Sequence, residues 1–108
     1  MENFFIAFSV KCLSKESRKE FVKKTILIKE WFRNNSIKFC NEKLFSNGNQ
    51  FIQKTFDFYC DFEDAIRLFK TICNSDYTVS LFKRWDFNQH CEASLEFIAN
   101  YEASHLQF

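Results

Sequence analysis

The chain has one glycine and no proline in 108 residues. A turn that needs positive φ without a Cβ penalty can therefore sit at only one place, Gly48, in the stretch Ser46-Asn47-Gly48-Asn49. Asn-Gly is the strongest short signal for a hairpin turn. The segments on either side, 36–45 and 50–60, read as strands, so the middle of the chain is expected to be an antiparallel hairpin. Elsewhere, elements must be ended by Asn, Ser and Asp.

Alternating apolar residues mark further strands. In 3–12, Phe4, Ile6, Phe8 and Val10 share one face while Phe5, Ala7, Ser9 and Lys11 share the other. A fourth strand is expected over 77–85. Between the first two strands, a helix is expected to about Arg33. Ser14 or Ser17 would cap it, Ser17 and Glu20 would form a capping box, and Asn34-Asn35 would end it. Its core stripe is Phe21, Thr25, Ile28 and Phe32, with Val22 beside it. A second helix follows Asp61 as cap and carries a stripe of Phe62, Ala65, Ile66, Phe69, Ile72 and Cys73, closed by Asn74-Ser75-Asp76. After Asp86 or Asn88, the spacing of Cys91, Leu95, Ile98 and Tyr101 suggests a final helix.

The resulting order, βαββαβ plus a last helix, predicts one α+β domain over 1–108. It is expected to form a ferredoxin-like sandwich with an antiparallel four-stranded sheet ordered 4-1-3-2, two helices on one face and an extra C-terminal helix. This length suits a single hydrophobic core, and sixteen Phe residues supply it.

The same topology is that of the RNA-recognition motif. Lys54-Thr55-Phe56-Asp57-Phe58 resembles its third-strand motif, with Lys54, Phe56 and Phe58 at the first, third and fifth positions. Phe5, between Phe4 and Ile6, resembles the partner motif on the first strand. The resemblance implies that Phe56 and Phe58 stack bases on the open sheet. Alternation argues otherwise. That register would drive Asp57 into the core as an unpaired carboxylate, at a cost of several kcal/mol. The opposite register buries Ile52, Phe56, Phe58 and Cys60 and leaves Asp57 exposed on the open face. In that reading Phe56, Phe58, Phe62, Ile66 and Phe69 form the spine of the core. The open face then shows Phe5 from strand one and Lys38, Cys40 and Glu42 from strand two. It also shows Phe51, Thr55 and Tyr59 from strand three, and Ser80, Phe82 and Arg84 from strand four.

Net charge is +1, but residues 1–43 carry +5 and the remainder −4. The first helix concentrates the basic residues Lys15, Arg18, Lys19, Lys23, Lys24, Lys29 and Arg33. Five widely spaced cysteines, without a Cys-x-x-Cys pair, read as reduced thiols. The only adjacent His/Cys pair is His90-Cys91, and Cys91 lies on an apolar stripe. His105 reads as a favourable charge near a helix end. No phosphate loop can be built with one glycine. Neither a catalytic set, a metal site nor a cofactor site is expected, nor is a membrane span or a signal peptide.

The expected function is a small, cytoplasmic, non-enzymatic protein-binding module acting on a host protein complex. Phe5, Trp31, Tyr59, Phe82 and Arg84 are the candidate contacts. Size and an AT-rich codon signature fit the inhibitors that phages and mobile elements direct at host defence or regulatory complexes, as anti-CRISPR proteins do. The alternative is a nucleic-acid-binding regulator using Lys15, Arg18, Lys19, Lys23 and Lys24. The open sheet face is also a candidate homodimer surface, unless the last helix covers it.

Overall fold

The computed structural model describes residues 2–11, 14–47, 50–73, 77–84 and 95–101. The elements are β1 (Glu2–Lys11), α1 (Lys15–Asn34), β2 (Lys38–Asn47), β3 (Phe51–Cys60), α2 (Phe62–Ile72), β4 (Thr78–Arg84) and β5 (Leu95–Tyr101). All strand pairs are antiparallel, in the order β2-β3-β1-β4-β5. The fold is thus α+β, with a five-stranded sheet and two helices among the described residues. The expected 4-1-3-2 order is contained in it, but the sheet is wider by one strand.

That strand corrects the expected last helix. Residues 95–101 pair with β4, Leu81 opposite Ala99 and Phe82 opposite Phe97, across a bulge that leaves Ile98 extra. A short apolar run supports either periodicity. Here the unpaired backbone groups along β4 give an extended segment a ladder, which an isolated helical turn cannot match. The Gly48 turn, the 74–76 breaker, the Asp86 and Asn88 caps, and Cys12, His90, Cys91 and His105 lie outside the described residues.

The core lies between the sheet and the two helices. β1 contributes Phe4, Ile6, Phe8 and Val10, and β3 contributes Phe56, Phe58 and Cys60. Val79 and Leu81 enter from β4. Aromatic rings hold the centre: Phe32 stacks on Phe39 at 4.9 Å and meets Phe56 and Phe58 at 5.6 and 5.3 Å. Phe8 packs on Phe21 at 5.1 Å. Apart from half-buried Phe39, these rings are buried, and each contributes about 1.5–3 kcal/mol relative to exposure.

On α1 the buried residues are Phe21, Thr25, Ile28 and Phe32, the expected stripe. Val22 stands outside it, exposed. The helix begins one turn earlier than Ser17 and Glu20 suggested. Ser14 is the N-cap, its Oγ accepting from the Ser17 amide at 3.1 Å while Ser17 Oγ accepts from the Ser14 amide at 2.7 Å. Serine thus plays the reciprocal part usually taken by Glu or Gln. On α2, Ala65, Leu68 and Ile72 are buried. Leu68, which the expected stripe omitted, turns in to line a cleft against α1, and Ile66 and Phe69 become half-buried. Phe62, expected in the spine, is 49% exposed at the helix start, with its ring 6.4 Å from Phe4. Asp61 is the N-cap residue of α2, although its side chain makes no capping hydrogen bond.

Candidate binding surfaces

Antiparallel pairing aligns one row of residues across the open face: Cys40, Asp57, Phe5, Phe82 and Phe97. Phe5 and Phe82 sit 6.0 Å apart, as do Phe82 and Phe97. Phe56 and Phe58 point to the helices and are fully buried, so they are not a base-stacking pair. The register therefore follows the alternation argument.

Asp57 does not follow the exposure that went with it. It lies on the open face but is only 1% exposed, and Arg84 is 5% exposed. Arg84 Nε donates to Asp57 Oδ1 at 2.5 Å, and Arg84 Nη2 approaches Oδ2 at 3.4 Å. The guanidinium carbon stands 5.3 Å from the centre of the Phe5 ring. A planar two-pronged pair of this kind satisfies a carboxylate that burial would otherwise penalise. Arg84 is thus committed inside the fold rather than presented to a partner. Phe5 and Phe82 are half-buried, while Tyr59 and Phe97 stand more open.

The second strand supplies a further correction. Cys40 pairs with Asp57 and Lys43 with Thr55, so β2 has one extra residue in a bulge. Asn41 sits there at φ 52°, in the left-handed region that Asn tolerates, and its Nδ2 donates to Asp57 Oδ2 at 3.1 Å. One extra residue reverses the facing of everything beyond it. Glu42, expected on the open face, instead reaches the helix side, where it bridges Lys29 at 2.6 Å and Lys54 at 2.5 Å. Burial alone would raise its pKa, but the hydrogen bonds from these two lysines outweigh that and hold it below its usual value.

The five basic residues of the alternative reading all lie on α1. Lys15, Arg18, Lys19 and Lys23 are exposed. Lys23 pairs with Glu20 at 3.6 Å, and half-buried Lys24 stands over the Tyr77 ring at 5.7 Å. Trp31 is half-buried on the opposite layer from Phe5, Tyr59 and Phe82. It lines a cleft of about 290 Å³ between α1 and α2, together with Leu27, Ile28, Leu68 and Ile72. The candidate protein-binding residues thus fall on two sides of the molecule.

Sequence reasoning missed the flank where α1 meets β2. Val22, Ile26, Leu44 and Phe45 are 56, 50, 57 and 50% exposed. Val22 and Ile26 are one turn apart on the same side of α1. The Lys29–Glu42 bridge fixes their neighbour. One turn back along α1 is about 5 Å, and two residues along β2 is about 7 Å, so Leu44 comes alongside Val22 and Ile26. The signal was present: Leu44-Phe45 puts a large apolar residue on each face of an edge strand.

Thiol chemistry is subdued. Burial first, then the charges of Asp64 and Asp61, push Cys60 up to about 12. Burial and Asp57 raise Cys40 against the opposing pull of Arg84. Among the described residues, no three His, Cys, Asp or Glu side chains gather as metal ligands, and no helix is long and apolar enough to cross a membrane. No protein-family profile, curated protein or solved structure gives the chain a significant match.

Proposed function

We propose that this chain is a non-enzymatic protein-binding module that engages its partner through the α1–β2 flank. The observation that carries the reading is the exposure of Val22, Ile26 and Leu44, which the Lys29–Glu42 bridge places on one flank of the fold, with Phe45 on the other face of the same edge strand. Apolar groups gathered like this, rimmed by charge, mark interaction sites, whereas single exposed hydrophobics do not. Tyr59 and Phe97 on the open face offer a smaller second surface. The first six elements, with strands ordered β2-β3-β1-β4, support reading the scaffold as a ferredoxin-like sandwich extended by β5. The narrower reading, an inhibitor carried by a phage or mobile element against a host complex, is drawn from a composition rich in residues with AT-rich codons, with sixteen Phe against one Gly and no Pro.

The test is a pull-down from lysate of the source organism, quantified by mass spectrometry. Ile26→Asp and Leu44→Asp should each release the partner, while Tyr59→Ala and Phe82→Ala should retain it. Retention by both aspartate variants, with folding intact, would refute the assignment to this flank. The nucleic-acid reading predicts a different pattern, with loss on charge reversal at Lys15, Lys19 and Lys23 and a steep salt dependence.

A further inference from the structure

We propose that the β2 edge from Lys43 to Asn47, together with the adjoining flank of α1, takes up an acidic extended segment of another protein as a sixth strand. This inference rests on the protein-binding reading above and names the mode of binding and the chemistry of the partner.

Among the described residues β2 pairs with β3 alone, which makes it one edge of the sheet. An edge strand presents a row of backbone donors and acceptors outward, and an incoming extended chain can complete the ladder. Between the bulge and the end of the strand, Lys43–Asn47 keep regular register with Thr55–Phe51, which gives five residues of straight edge. Along it, Leu44 faces the helix layer while Lys43 and Phe45 face the other way. An added strand would alternate likewise. Its helix-side residues would cover Leu44, Val22 and Ile26, and its other residues would meet Lys43 and Phe45.

Charge selects the occupant. Lys38 and Lys43 lie on the strand, and Lys15, Arg18, Lys19 and Arg33 are exposed on the neighbouring helix. Glu42, the acid of β2, is already committed to Lys29 and Lys54. Lysines on an edge ordinarily repel unwanted strands. These repel a basic strand or a second copy of this same edge, and attract an acidic one. The aliphatic strip among the cations favours a peptide over a phosphate backbone, which offers nothing to bury it.

The test uses the full chain and a capped twelve-residue peptide of alternating Glu and Val. Amide exchange and titration by NMR provide the readout. The expected result is saturable binding, with exchange at residues 43–47 slowed at least tenfold. Raising salt from about 50 to about 500 mM should weaken binding. Leu44→Asp, a substitution at an exposed site, should cost at least tenfold in affinity. The same peptide methylated on alternate backbone nitrogens, along the edge that would pair, should lose binding to a similar extent. If the methylated peptide binds equally well, strand addition is wrong while the flank remains a binding surface. If neither peptide binds, and Ile26→Asp and Leu44→Asp leave capture of the lysate partner unchanged, the proposal and the underlying reading both fail. A twelve-base oligothymidylate that outcompetes the peptide, or concentration-dependent pairing of two chains through residues 43–47, would also overturn the proposal.

Discussion

Replacing Arg84 with Met removes one half of the buried pair and retains most of its volume. Asp57 is then left at 1% exposure with only part of its hydrogen bonding, including the 3.1 Å contact from Asn41. Breaking a buried pair from one side costs about 3–5 kcal/mol, because the surviving charge stays in a poorly solvated place. For a domain near this size, each kcal/mol moves Tm by roughly 4–8 °C, so a loss of about 3 kcal/mol lowers Tm by roughly 12–24 °C. Asp57→Leu alone strands Arg84 and should cost a similar amount. The double variant, Asp57→Leu with Arg84→Met, should recover most of either loss, since two apolar groups need no partner. Urea unfolding of the four proteins at pH 7 gives the coupling directly. Costs under about 1 kcal/mol for both single variants, the range of exposed pairs, would refute the argument that the pair is desolvated.

Other expectations follow from the same geometry. Asn3 is buried on the open face, and among the described residues neither atom of its side-chain amide has a hydrogen-bond partner. Asn3→Leu should therefore raise stability by about 1–3 kcal/mol, read as a higher urea midpoint. At the β2 bulge, Asn41→Val should cost at least about 1–2 kcal/mol more than Asn41→Gly, because a β-branched residue resists φ near 52°. Equal costs would mean that the bulge relaxes. For Glu42, the folded pKa is lowered, so its contribution is complete above the ordinary value of 4.5 and is lost as pH falls through the folded pKa. The stability gap between wild type and Glu42→Gln should accordingly shrink on acidification from neutral pH. In alkylation at pH 8 followed by peptide mapping, Cys60 should stay unmodified in the folded state while exposed Cys40 reacts first of the two.

Much of the architecture follows from local pattern. The period-2 faces of β1 and β3 and the stripe Phe21, Thr25, Ile28 and Phe32 each name a buried face that the structure shares. Such periodicity is set by which residues water excludes, and that information is local. The binding surface was less legible. Trp31 looked like an exposed anchor and is half-buried in a cleft, while Leu44 and Phe45, read as part of a strand end, stand out at the edge. Exposure depends on what packs alongside, and no window of sequence contains that.

The sequence by itself determined the order of the first six elements, the apolar faces of β1, β3 and α1, and that the strands before and after α2 belong to one antiparallel sheet. Three matters were decided only in the tertiary structure. The segment 95–101 became a strand because β4 offered it a ladder. Glu42 changed face, and Leu44 follows it to the helix side, because one extra residue entered β2, and a period of two converts a single insertion into a reversal. Asp57 could be buried because Arg84, 27 residues away in sequence, folds back against it. The cost of placing a charge inside depends on its partner, and only the folded chain supplies one.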